Sequence, residues 1–318
     1  MKNVQEKELM VSVVVLTYNQ EQWIGKNLDC ILAQKTEYPY EIVIGEDKGT
    51  DGTLAICQKY AAVHENIRIL ARSRNLGLAG NFADSVQQSK GKYLMLCDGD
   101  DFWQNPNKIQ LQVDFMEAHP ECVACHTGSD FMHENTGTIE PFSPEHKGYV
   151  PEGMIQKEIV AGKDNSVCPT LCFRRETLVK YLPFDKFASF PCDDWPALVV
   201  ASAYGEIRYI PVSTATYRVG QISLTNLKDY GRIRTFWQQS KEMTAYMYEM
   251  FPQLGQFKDG TYFDTYVYHP LLNAAYINND YRSAYEFAKH DPKKTLARKC
   301  ARTWLTFKLY RMLLRFKK

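Results

Sequence analysis

The stretch Val11-Ser-Val-Val-Val-Leu-Thr-Tyr-Asn19 is an almost unbroken apolar, β-branched run that stops in polar residues. A run without in–out alternation suits a strand covered on both faces, as in a parallel sheet flanked by helices. Beyond this strand, Met10–Thr17, the period changes. Ile24, Leu28, Ile31 and Leu32 recur at i, i+4, i+7 and i+8, one face of a helix. Glu41–Gly45, Ile67–Leu70 and Tyr93–Cys97 repeat the strand pattern, while Leu54, Cys57 and Ala61, then Leu78–Gln88, repeat the helical one. Asn105-Pro106 offers an N-cap followed by proline at the first helical position, ahead of Ile109, Val113 and Met116 on one face. Such alternation with short connections predicts an α/β fold with parallel strands joined by crossovers.

Three of these strands end in polar clusters: Thr17-Tyr18-Asn19, Glu46-Asp47 and Asp98–Asp101. Open sheets of this kind bind ligands beyond the carboxyl ends of their strands, so the clusters define a site. Asp98, Asp100 and Asp101 follow a buried strand directly. Two carboxylates about 4 Å apart repel by roughly 4 kcal/mol at an effective dielectric of about 20. A divalent cation removes that cost, and all-oxygen ligands favour Mg2+ or Mn2+ over Zn2+. Taken alone, the same residues also fit an acidic turn capping the next helix.

The remaining composition excludes more than it identifies. The chain has 318 residues, 45% of them hydrophobic, and a net charge of +1 that gives no field for nucleic acid. The N-terminus lacks a signal-peptide pattern, and no apolar run approaches the roughly eighteen residues that span a bilayer. A cytoplasmic location with reduced cysteines is the expectation, Cys57 and Cys97 being core residues. Cys122-Val-Ala-Cys-His126 has the spacing of a c-type haem attachment site, but that chemistry needs export. A zinc site from Cys122, Cys125, His126 and His133 lacks the usual second spacing, so a strand with core cysteines is the better reading. Neither a phosphate-binding Gly-x-x-x-x-Gly-Lys loop nor a Gly-x-Gly-x-x-Gly fingerprint is present.

Val11–Asn19, Glu46-Asp-Lys-Gly-Thr-Asp-Gly-Thr53, Asn75-Leu-Gly77 and Asp98-Gly-Asp-Asp101 occur in this order and register. Together they resemble the inverting family 2 glycosyltransferases of the GT-A fold, over roughly residues 10–218. The resemblance implies a nucleotide-diphospho-sugar transferase fold: a Rossmann-like, mostly parallel sheet flanked by helices over residues 1–220, with a helical extension over 221–318. It implies that Thr17 and Tyr18 line the nucleotide pocket and that Glu46, with Asp47, accepts hydrogen bonds from the base. Arg74 would reach the base or a phosphate, Asp98 the ribose, and Asp100 the metal bridging the diphosphate, with Asp98 beside it. Gly49 departs from the family, which has serine there; the turn should survive, with a side-chain hydrogen bond lost.

A nucleotide-sugar already carries a good leaving group, so the chemistry needs one carboxylate to deprotonate the acceptor hydroxyl. Phe190-Pro-Cys-Asp-Asp-Trp-Pro196 resembles the family's acidic-Asp-Trp element, with Asp194 matching the base and Asp193 next in line. Either aspartate could instead cap the helix that Pro196 begins. Tyr217-Arg218 resembles the segment that closes these domains, and Arg218 could clamp a phosphate or be an ordinary surface arginine after a strand. The resemblance implies transfer of one hexose-type sugar, from a UDP-sugar, to a saccharide or lipid-linked acceptor in cell-surface polysaccharide or lipopolysaccharide synthesis. A sugar nucleotidyltransferase and a non-catalytic nucleotide-sugar-binding module are the alternatives.

The C-terminal stretch differs from the rest. Pro292–Lys318 carries ten Lys or Arg residues and no acid. Leu305, Leu309, Met312, Leu313 and Phe316 fall on one helical face, and Lys308, Arg311, Arg315 and Lys318 on another. Such a helix can lie peripherally on an anionic membrane, or it can dock on the protein body.

Overall fold

In the computed structural model, which describes residues 8–141, 150–164, 166–220, 230–257, 262–291 and 295–315, β1 (Val11–Thr17) is buried along its whole length. It pairs in parallel with β2 (Tyr40–Glu46) and β4 (Tyr93–Leu96), and β3 (Ile67–Ala71) extends β2 in the same sense. The crossovers carry α1 (Ile24–Leu32), α2 (Thr53–Ala61) and α3 (Leu78–Gln88). Ile24, Leu28 and Ile31 pack against Val13, Val15, Ile42 and Ile44 in one core, all fully buried. Each such aliphatic side chain contributes roughly 1.5–3 kcal/mol by leaving water.

The less regular middle of the sequence completes the sheet. It supplies β5 (Phe102–Trp103), α4 (Lys108–Ala118), β6 (Cys122–His133), β7 (Thr138–Glu140) and α5 (Gln156–Val160). After a 3-10 turn at Cys168–Thr170 come β8 (Cys172–Arg174), α6 (Arg175–Tyr181), α7 (Phe184–Phe187), α8 (Asp194–Ala201) and β9 (Glu206–Val219). The strand order is β3-β2-β1-β4-β8-β6-β9-β5, with β7 beside β6. The sheet is parallel through β4; β8 then joins antiparallel, while the long β6 and β9 run parallel to each other. Cys122 and Cys125 both face the core because the β6–β9 register slips by one residue between Cys122 and Ala124. His126 is buried too, and His133 pairs with Glu140.

Asn105 does not cap α4. Its Oδ1 accepts from the Asn107 N–H at 2.9 Å, a local turn that delays the helix until Lys108. Residues 142–149 lie outside those described.

The described residues fall into two compact units: those up to Ile159 with Lys163–Gly220, and Val160–Gly162 with those after Gly220. The second is helical, with α9 (Tyr230–Met250), α10 (Tyr262–Ile277), α11 (Tyr281–His290), α12 (Leu296–Cys300) and α13 (Trp304–Arg315). Asp280 caps α11 by accepting from the Ser283 N–H, and Thr295 caps α12 by accepting from the Arg298 N–H. Among the described residues no helix is long and apolar enough to cross a membrane. Phe316 and Lys318 of the basic stretch lie outside the described residues.

Candidate active site

The three polar clusters meet at one sheet edge. Thr17 is opposite Glu46 in the β1–β2 register, and the Asp47 N–H donates to the Thr17 carbonyl at 3.0 Å. On the other side of β1, the Gly99 N–H donates to the Leu16 carbonyl at 2.9 Å, which draws the Asp98–Asp101 turn against the strand. Glycine is needed here: a Cβ on Gly99 would lie 2.5 Å from Gln20 Oε1 and 2.8 Å from Thr17 Oγ1. Asn27, fully buried in α1, holds the turn from below. Its Nδ2 donates to the carbonyls of Asp98 (2.8 Å) and Asp101 (3.0 Å).

From the far end of β9, Arg218 closes the turn. Its N–H donates to Asp101 Oδ1 at 2.7 Å, and its Nε donates to the Asp100 carbonyl at 2.8 Å. The guanidinium lies 5.2 Å from the centre of the Trp23 ring. Beneath this assembly, Lys108 is buried without a carboxylate partner among the described residues. Its Nζ donates to Gln112 Oε1 (2.6 Å) and Thr214 Oγ1 (3.1 Å), so α4 and β9 are joined under the site. Burial lowers its pKa to about 8.

Asp193 and Asp194 arrive at the same place from the start of α8. Burial raises the carboxyls of Asp98, Asp101 and Asp193 well above the ordinary range, and their mutual charges add to it: Asp98 feels Asp101, Asp100 and Asp194, and Asp193 feels Asp98. Asp100 and Asp194 are raised mainly by burial, Asp100 despite the nearby Arg218. Asp193 stands at the N-cap position of α8 but makes no side-chain cap bond, and its buried Oδ2 has no partner among the described residues. Asp194 is partly exposed and accepts from the Trp195 N–H at 2.7 Å. The capping reading therefore leaves Asp193 Oδ2 unused.

The outer residues are placed less uniformly. Glu46 is buried and its Oε1 accepts from the Gly49 N–H at 2.6 Å. A Cβ on Gly49 would fall 2.9 Å from that oxygen and 3.0 Å from Asn19 Oδ1, so glycine permits a closer turn. Asp47 has one oxygen committed: Oδ1 accepts from the Leu76 N–H at 2.7 Å and fixes the Asn75–Gly77 turn. Arg74 precedes that turn, exposed and without a partner among the described residues; Tyr18 is also exposed. Sequence reasoning missed Gln20, Asn27, Lys108 and Asp164. Asp164 lies in the irregular stretch after α5, where no period marks it; burial raises it to about 6, and it feels Asp194.

The donor set suits a hard divalent cation. Thr17 Oγ1, Gln20 Oε1, Asp101 Oδ2 and Asp193 Oδ2 are buried oxygens without partners among the described residues, and crowded carboxylates surround them. No three of the site's carboxylates converge within 4.8 Å among the described residues; the set that does is Glu121, Cys122 and Glu206, elsewhere in the unit. The latter is not cation chemistry: Glu206 is paired with Arg208, and burial raises the Cys122 thiol to about 11. An ion at the aspartates would thus take one or two protein ligands and fill its remaining positions from phosphate and water, as Mg2+ does.

A parallel half-sheet with acidic turns at its carboxyl edge and a mixed half behind them defines a nucleotide-diphospho-sugar transferase fold. The family model for glycosyl transferase family 2 matches residues 12–180, and the chain belongs to that family. An uncharacterized protein of Mycobacterium tuberculosis is 32% identical over 211 residues, 65% of this chain and 58% of that protein. The chain thus spans less than two thirds of that relative's length. Among solved structures, Staphylococcus aureus TarS 1–349 in complex with UDP-GlcNAc has a TM-score of 0.52 at 18% identity, covering 95% of this chain and 89% of that one. The mannosyltransferase PcManGT of Pyrobaculum calidifontis, in complex with GDP-Man and Mn2+, has a TM-score of 0.56 at 18% identity, covering 96% and 86%. At these identities the likeness is one of fold.

Proposed function

We propose that this chain transfers a sugar from a nucleotide-diphospho-sugar, UDP-linked, to a saccharide or lipid-linked acceptor, with inversion at the anomeric carbon. The observation that carries this reading is the meeting of the Asp98–Asp101 turn and the Asp193-Asp194 pair in one site of unsatisfied oxygens. Family membership and the nucleotide-sugars bound by TarS and PcManGT support it. The catalytic domain would be residues 1–220, with 221–318 as a helical addition.

In this account Thr17, Tyr18, Glu46 and Asp47 bind the nucleoside, Asp98 the ribose, and Arg74 and Arg218 the phosphates. Asp100, with Asp98, would hold Mn2+ or Mg2+, which supplies charge neutralisation at the departing diphosphate. Asp194 takes the proton of the acceptor hydroxyl. The hydroxyl oxygen bonds to the anomeric carbon from the face opposite the diphosphate, and the electron pair of the broken bond leaves on the phosphate oxygen. Burial raises the Asp194 carboxyl, which brings its basicity closer to working pH. Partial exposure favours Asp194 over the buried Asp193 as the base. An acceptor of the lipid-linked class, in cell-surface polysaccharide synthesis, would bring the enzyme to the cytoplasmic face of the membrane.

Incubation with a panel of UDP- and GDP-sugars, with candidate acceptors, tests the reading by nucleotide release and by the anomeric configuration of the product. Asp194→Asn should keep nucleotide binding and lose roughly a hundredfold or more in turnover. Retained configuration, or full turnover in that variant, would refute the assignment.

A further inference from the structure

The last described helix is apolar on two sides. One side of α13 builds the second unit's core: Phe307 is fully buried and stacks on Tyr276 at 4.6 Å, with Tyr310 and Leu314 packed beside them. The other side is bare. Trp304, Leu305, Leu309, Met312 and Leu313 are 59%, 64%, 54%, 57% and 57% exposed. Docking and an outward apolar face are therefore not alternatives, because one helix does both.

Basic side chains occupy the seam between the two faces. Lys308 Nζ donates to Asn279 Oδ1 at 2.8 Å, and Arg311 Nε donates to the Tyr276 carbonyl at 3.2 Å. These bonds hold both cations alongside the exposed stripe, and Lys308 also lies 5.4 Å from the Trp304 ring centre. Lys299 and Arg302 are exposed just before the helix. No acid interrupts the sequence from Pro292 to Lys318.

We infer that this face of α13 docks on an anionic lipid bilayer, with the exposed apolar side chains entering the acyl boundary and the seam cations at the headgroup level. Charge selects this occupant. A second copy of the chain would bring two unbroken basic stretches together at one interface, whereas anionic headgroups take up both the apolar and the cationic features. The inference rests on the proposed function only for its purpose, which is to meet a lipid-linked acceptor at the membrane surface. Binding itself needs neither donor nor acceptor.

The test is co-sedimentation of the full chain with vesicles of phosphatidylglycerol and phosphatidylcholine, against vesicles of phosphatidylcholine alone. Binding should require the anionic lipid and weaken as salt rises. Leu309→Glu with Leu313→Glu should lower partitioning at least tenfold, and Lys299→Glu with Arg302→Glu severalfold, with thermal unfolding unchanged because all four side chains are exposed. Equal partitioning of wild type and the leucine variant would overturn the inference. So would a wild type that ignores vesicles but forms a dimer broken by the leucine substitutions, which would make the face a contact between copies. Transfer activity that survives such a result would leave the proposed function standing.

Discussion

The backbone N–H of Arg218 donates to Asp101 Oδ1 at 2.7 Å across 117 positions of sequence, tying the end of β9 to the acidic turn after β4. The same residue's Nε holds the Asp100 carbonyl, so its side chain shapes the turn as well as adding charge to it. Arg218→Ala should weaken nucleotide binding about tenfold to a hundredfold, the value of a lost charge-assisted bond. Arg218→Lys should rescue little of it, because a lysine cannot reproduce the Nε geometry. Titration of UDP into both variants checks this; full rescue by lysine would show that charge alone matters.

Asp101 keeps one buried oxygen without a partner among the described residues, beside several other carboxylates. Asp101→Asn retains the acceptor for the Arg218 N–H and removes one charge. Without metal or nucleotide, the variant should be more stable than wild type by something on the order of 1 kcal/mol at neutral pH. The sign follows from the raised carboxyl. Its folded-state affinity for a proton exceeds that of the unfolded chain, so wild type gains stability as pH falls and the gap between the proteins narrows. Thermal unfolding from neutral to mildly acidic pH measures it, and a destabilised variant at neutral pH would count against the crowding argument.

Gly99 allows the turn to approach β1. Gly99→Ala would press a methyl group against Gln20 Oε1 and Thr17 Oγ1. It should cost about 1–3 kcal/mol of stability and reduce nucleotide binding more than tenfold. Unaltered binding would mean that the close approach does not set the site.

His126 is buried, its Nδ1 has no partner among the described residues, and burial lowers its pKa from 6.5 to about 4. Between those values the unfolded chain binds a proton that the folded chain refuses. His126 therefore supports the fold above about pH 6.5, and that support is lost as pH falls towards 4, amounting to roughly 3 kcal/mol over the window. In His126→Phe the acid-side loss should be smaller by that amount, which urea unfolding at several pH values would show. Parallel curves for the two proteins would remove His126 as the cause.

Much of the candidate site's placement was legible because it follows from strand ends. Thr17, Glu46 and Asp98 close apolar runs, and parallel strands bring their carboxyl ends to one edge whatever the details. The contacts that hold the site were not legible. Asn27 and Lys108 are polar residues at helical positions, and only tertiary packing makes one a clamp on the turn and the other a buried strut. Nor could the pairing of Phe102-Trp103 with β9 be seen, because a strand of two residues leaves no period. Asn105-Pro106 looked like a helix start, yet a side-chain bond two residues on won the competition. In α13 the outward leucines were visible as a stripe, but the second stripe of Phe307, Tyr310 and Leu314 was not separated from them.

Calorimetric titration of UDP and of GDP into the full chain, with and without Mn2+ and again in Asp100→Ala, tests the central claim most directly. Metal-dependent binding of one nucleotide, lost in the variant, is the expected result. Binding of neither under any condition, or binding that Asp100→Ala leaves intact, would contradict it.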